Sequence, residues 1–169
     1  MGKRRVVILK YARSEIGKSV FARLLEGEDL LETITQVAAK SRIRAGFFIL
    51  IGTLKSARMG FYQDGKYTPI EMQKPLEIVS CLGNISIKEG KPFPHAHLAV
   101  SDNRGRVFGG HAMPGCIIGA TAEIVIVEAV GLKITREPDE ITKLSLLSFS
   151  KSAAGSQKSR SISDMFHQS

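Results

Sequence analysis

Tryptophan is absent from this chain, cysteine occurs twice, and aromatic residues make up only 7% of its 169 residues. Two thiols, Cys81 and Cys116, build no disulfide framework and fit a reducing compartment. No apolar run is long enough to cross a bilayer as a helix. Val6-Val7-Ile8-Leu9 is too short for a signal-peptide core, and Val6 stands where a myristoylation signal needs serine or threonine. A cytoplasmic protein with no membrane partner is therefore expected. Internal repeats are also missing, so the simplest organisation is one domain, 1–149, followed by a basic tail, 150–169. A domain of about 150 residues buries roughly 70% of its unfolded surface, enough to fold without a disulfide or metal. The 43% hydrophobic content agrees.

What the chain does have is positive charge and a cluster of histidines. The formal net charge of +8 favours polyanionic partners, nucleic acid among them. Three of the four histidines, His95, His97 and His111, fall within one short stretch. In a strand, side chains alternate faces, so His95 and His97 point the same way while Ala96, Leu98 and Val100 line the other face. Between them and His111 lies the turn-forming run Ser101-Asp102-Asn103-Arg104-Gly105. With a three-residue loop, Asn103 to Gly105, and Gly105 left-handed, His97 and His111 oppose each other. A two-residue loop at Asn103-Arg104 would shift the register and turn His111 to the opposite face. Three neutral imidazoles around an open position are the donor set for Zn2+ or another divalent transition metal. Cys116 is either a fourth ligand or, in its commoner role, a buried thiol.

Along the chain, strands are expected over 5–11 and 19–25. A helix opens at Asp29, with Glu32 completing a capping box and Leu30, Ile34, Val37 and Ala38 on one face. Strands follow over 46–53, 54–63, 66–73 and 76–87, then the histidine hairpin, 121–131 and 132–135. A further short helix is expected over 139–147. From Lys151 the composition turns small, polar and basic, as in a flexible linker or tail.

Several short motifs need a structural context to mean anything. Ala12 to Ser19 approaches a phosphate-binding loop, but alanine replaces its first glycine and Val20-Phe21-Ala22-Arg23-Leu24 alternates like a strand. A nucleotide binder of that type is the remote reading, and a connecting turn the better one. Arg104-Gly105-Arg106 has the centre of an AT-hook without its extended, proline-flanked setting. Its arginines are candidate phosphate contacts all the same. Glu123, among apolar neighbours, is either a general base near a metal or a member of an ion pair. Asn84 either orients a ligand or satisfies its own turn. In the tail, Ile162, Met165 and Phe166 make one apolar helical turn. It resembles a degenerate sliding-clamp-binding peptide, although docking on its own domain is the simpler role.

Taken together, Gly83-Asn84-Ile85-Ser86, Pro94-His95-Ala96-His97-Leu98, Gly105-Arg106-Val107-Phe108-Gly109-Gly110-His111 and Thr121-Ala122-Glu123 resemble the plant-and-prokaryote conserved domain. Gly27-Glu28-Asp29-Leu30 and Ile51-Gly52-Thr53-Leu54 stand upstream in the expected order. The resemblance implies an α+β fold, mostly antiparallel sheet with one main flanking helix and shorter helical segments, assembled as a homotrimer. It also implies that His95, His97 and His111 bind metal. Two functions are then open. One is a DNA-associated or regulatory protein, nucleoid-associated if it binds DNA, with Lys3, Arg4, Arg5, Arg104, Arg106, Lys151, Lys158 and Arg160 as phosphate contacts. The other is a metal-dependent enzyme or sensor acting on a small acidic ligand, with Glu123 as base.

Overall fold

The computed structural model describes residues 11–151. In chain order the elements are β1 (Glu15–Leu25), α1 (Leu30–Lys40), β2 (Gly46–Gln63), β3 (Lys66–Met72), β4 (Leu76–Lys88) and β5 (Lys91–Ser101). Then come β6 (Val107–Ala112), β7 (Ile117–Val130), β8 (Leu132–Pro138) and β9 (Ser145–Lys151). They form one sheet in the order β1-β7-β2-β6-β5-β4-β8-β9, with β3 beside β2. All pairings are antiparallel except a short parallel contact between β4 and β8 at Ile87 and Thr135.

Strand β2 organises the sheet. The expected break between residues 53 and 54 is absent, and 46–63 run as one strand with register irregularities around Gly52 and Leu54. Such irregularities bend a strand and increase its twist. The first part of β2 pairs with β7 and β4, and the last part with β3 and β6. Because β4 pairs with β5 and β5 with β6, the strands β2, β4, β5 and β6 close a circuit. This curl brings β6 back against β2, with β5 held beside β6.

Helix α1 covers one side of the sheet. Asp29 caps it as expected, its Oδ1 accepting from the backbone N–H of Leu31 at 3.0 Å and of Glu32 at 3.1 Å. The same carboxylate reaches across the sheet, where Oδ2 accepts from Gly115 N at 2.7 Å and ties the helix start to the turn before β7. Leu30, Ile34 and Ala38 are fully buried and join Leu24, Phe48, Leu50, Met59, Ile85, Leu98, Ile118, Ile124 and Ile126 in one core. In β7 the alternation is plain: Ala122, Ile124 and Ile126 face the core, and Thr121, Glu123 and Val125 face outward.

Several expectations need correction. Residues 5–10 lie outside the described residues, and Tyr11 is not in a strand. The strand expected over 19–25 starts earlier, at Glu15, and it contains Gly17, Lys18 and Ser19. The phosphate-loop reading is therefore overturned: no helix follows the motif, and Lys18 pairs with Glu128 at 3.7 Å. The short helix over 139–147 is also absent, and among the described residues α1 is the single helix. Asp139 instead caps a tight turn, accepting from Thr142 N and Oγ1 at 2.8 and 2.7 Å. Lys143 then adopts φ +58°, which helical residues do not, and the chain continues as β9. No helix of the described residues is long and apolar enough to cross a membrane.

Candidate metal centre

The β5–β6 hairpin turns as the three-residue loop requires. Ser101 pairs with Val107, Asp102 N donates to Arg106 O, Gly105 N donates to Asp102 O, and Gly105 has φ +72°. The register that follows sets His97 opposite His111. His95 lies two residues before His97 on the same face, beside Asn84 of β4. The three rings converge, with centroids 5.5 Å (His95–His97), 4.9 Å (His95–His111) and 5.6 Å (His97–His111) apart. One ligand nitrogen from each lies within 4.8 Å of the others.

The loop itself is held by Asp102, whose side chain is buried. Its Oδ1 accepts from Arg104 N and Arg106 N, and its Oδ2 from Arg106 Nη2 at 2.6 Å, Arg106 Nε at 2.9 Å and Lys74 Nζ at 3.1 Å. The Arg106 guanidinium beside Asp102 holds its carboxyl well below the usual carboxylate range.

The chemistry of the three-imidazole group fits a metal. Burial, then the charge of Arg136 and the other two rings, pushes His95 down to about 4. Burial, then His97 and Arg136, lowers His111 as well. Both rings are thus neutral at pH 7, the form that ligates. His111 Nδ1 is buried with no hydrogen-bond partner, which is unusual for a buried polar atom and fits a site that binds a cation. Tyr67 of β3 stacks on His111 with centroids 4.8 Å apart and fixes the ring plane. It reaches there because Gly60, the residue paired with His111, has no side chain. A Cβ at Gly60 would lie 2.6 Å from the Tyr67 ring.

Near His95 stands Arg136 of β8. It donates from Nη2 to Asn84 Oδ1 at 2.7 Å, from Nε to Ser86 Oγ at 3.2 Å and from Nη1 to the Ser145 carbonyl at 3.2 Å. Neither Arg136 nor Tyr67 was marked by the sequence, since their approach depends on pairings with distant strands. Asn84, one of the two-way readings, is here a partner of Arg136.

Other candidates lie elsewhere. Glu123 is exposed on β7, opposite Arg23 of β1 and Ile51 of β2, and the structure does not bring it to the imidazoles. From its neighbour Val125, the row Ile49, Leu82, His97 crosses three strand spacings of about 4.8 Å each. Cys116 is fully buried, its thiol donating to Arg58 O and accepting from Arg58 N, so it is a core residue rather than a fourth ligand. Burial pushes the Cys81 thiol up to about 12. Arg104 is exposed at the loop, Arg106 is engaged with Asp102, and Lys151 ends β9. Lys3, Arg4, Arg5, Lys158, Arg160 and the tail motif Ile162, Met165 and Phe166 lie outside the described residues.

The outer sheet face leading to the histidines is apolar and open. Cross-strand partners run Phe21, Val125, Ile49, Leu82, His97, His111 in a single row. Phe21, Ile49 and Leu82 are 76%, 52% and 56% exposed. A parallel row runs Val127, Phe47, Asn84, His95.

An antiparallel, curled sheet backed by one helix, with three imidazoles converging on its open face, defines a small β domain carrying a metal-type donor set. The family model of the Plants and Prokaryotes Conserved (PCC) domain matches residues 11–130, and the chain belongs to that family. The fold resembles a metal-containing protein from Archaeoglobus fulgidus, 34% identical with a TM-score of 0.76 over 82% of this chain and 98% of that one. It also resembles a plant- and prokaryote-conserved protein from Pyrococcus horikoshii, 34% identical with a TM-score of 0.76 over 83% and 97% of the two chains. A proposed DNA-binding protein from Ralstonia eutropha JMP134 is 28% identical, with a TM-score of 0.68 over 76% and 89%. Among curated proteins, the bifunctional protein GlmU of Synechococcus sp. (strain JA-3-3Ab) is 36% identical over 122 residues, 71% of this chain. The matched region is 18% of GlmU's length.

Proposed function

We propose that this chain is a self-associating, metal-bearing regulatory protein whose basic surface engages DNA. The observation that carries the metal part is the convergence of His95, His97 and His111, and the unpartnered Nδ1 of His111 accords with it. The metal is Zn2+ or another divalent transition ion, in line with the metal-containing Archaeoglobus fulgidus relative. When bound, it supplies a positively charged centre with an open coordination position. His95, His97 and His111 would hold it, Tyr67 orients His111, and Asn84 keeps Arg136 beside His95.

Association as a homotrimer, the assembly implied by the family resemblance, would cover the exposed row of Phe21, Ile49 and Leu82. Trimerisation also multiplies the +8 charge of each chain, and with it the affinity for a polyanion. DNA is the polyanion favoured by the Ralstonia eutropha relative. Arg104 and the cations of both chain ends are the proposed phosphate contacts, and a cytoplasmic, nucleoid-associated location would follow. Duplex-DNA binding by fluorescence anisotropy across a salt series tests this reading. Log affinity should fall steeply and linearly with log salt. Absence of binding at low salt would exclude it. An enzyme or sensor for a small acidic ligand is the second reading, and the observation favouring it is the arginine beside the imidazoles.

A further inference from the structure

Arg136 is half-buried next to His95, and no carboxylate meets it among the described residues. Its three partners, Asn84 Oδ1, Ser86 Oγ and the Ser145 carbonyl, are all neutral oxygens. A guanidinium carries five N–H groups, so these bonds leave one N–H on each terminal nitrogen for another acceptor. Asn84 is the cross-strand partner of His95, and directly opposed residues have their Cβ atoms about 5 Å apart. The Arg136 group bonded to Asn84 therefore sits on the histidine face of the sheet.

Charge accounts for what is missing. Imidazole ligands bring no negative charge, so three of them would leave a bound divalent ion uncompensated, and Arg136 adds a further positive charge beside it. Burying unpaired charge of one sign is costly, and a planar fork is suited to an oxyanion. On the reading that the three histidines hold a metal, we infer that the ion's open position takes a small oxyanion, a carboxylate or phosphate group, whose second oxygen is bound by Arg136. The metal and the guanidinium would grip the ligand from two sides, with Tyr67 walling the far side of His111. This gives the basic chain a small-anion sensor or substrate site separate from its phosphate contacts on DNA.

The full chain loaded with cobalt(II) tests this through its visible spectrum, titrated separately with acetate and with inorganic phosphate. A saturable spectral change with at least one of them is expected. A response to acetate alone assigns a carboxylate, and a response to phosphate alone assigns a phosphate group. Arg136→Met should weaken that anion's binding by at least about tenfold while cobalt stoichiometry stays unchanged. Arg136→Lys keeps a charge but loses the fork, and should also bind the anion more weakly than the native chain. It carries the comparison if the methionine variant does not fold. A cobalt-loaded chain whose spectrum ignores both anions overturns the inference alone, as do variants that titrate like the native chain. A chain that takes up no cobalt overturns the metal reading and this inference with it.

Discussion

Two arginines show how one sheet treats charge in two ways. At the tip of the β5–β6 hairpin, Arg106 meets the buried carboxylate of Asp102, which also receives Lys74 and two backbone N–H groups. That network is closed: opposite charges meet, the acceptors are occupied, and the result is a fixed loop. Beside the imidazoles, Arg136 meets only neutral oxygens, and one buried nitrogen, His111 Nδ1, meets nothing. That network is open. The first maintains the register that places His97 against His111; the second is where the proposed metal and anion would bind.

Removing one imidazole should break the open network most. His97→Ala should lower affinity for zinc by at least about 100-fold in a calorimetric titration, since losing a ligand exceeds the cost of losing a supporting partner. Because His97 is exposed, the melting temperature of the metal-free chain should barely change. The closed network has the opposite profile. Asp102→Ala should lower the melting temperature by several degrees, because Arg106, Lys74 and two N–H groups lose their shared acceptor. Arg136→Met should cost the metal-free chain no more than about 1–2 kcal/mol by urea denaturation, because it removes an arginine with no carboxylate partner. A greater cost for Arg136 than for Asp102 would reverse the contrast.

Acid should separate the same two regions. His95 is depressed from its ordinary value to about 4, so the folded state favours the neutral ring. Its contribution is complete above the unfolded value near 6.5 and fades as pH falls towards 4. Asp102 is depressed from 3.8, so the hairpin contribution is complete above that value and is lost only at lower pH. Melting of the metal-free chain as pH falls should therefore show an early loss that His95→Gln removes. A later loss should disappear in Asp102→Ala. The smallest effect is expected from Gly60→Ala, whose methyl group would displace the Tyr67 ring from His111. Zinc affinity should drop several-fold, read in the same calorimetric titration.

Legibility in the sequence divides along similar lines. The closed hairpin could be read because its determinants are local: Gly105 needs positive φ, the loop length sets the register, and alternation then fixes the faces of His95 and His97. The helix start at Asp29 was readable for the same reason. Arg136 was not, because its place follows from the contact of β8 with β4, some fifty residues away in the chain. Tyr67 depends on β3 lying beside β2 and on the gap at Gly60. The helix expected over 139–147 failed because Asp139 binds its own turn and Lys143 turns left-handed, features that apolar spacing does not report. Glu123, a carboxylate among apolar residues, reads either as a base near a metal or as a member of an ion pair, but the sheet order sets it two strands from His111 and three from His95 and His97. Three histidines were enough to mark the candidate centre, while the residues around it required the fold.

The most direct measurement is metal stoichiometry: zinc retained per chain after equilibration with excess zinc and removal of the unbound ion, for the native chain and for His95→Ala/His111→Ala. One zinc per native chain and none in the double variant is the expected result. Equal zinc in both, or none in the native chain, would contradict the assignment of His95, His97 and His111 as a metal centre.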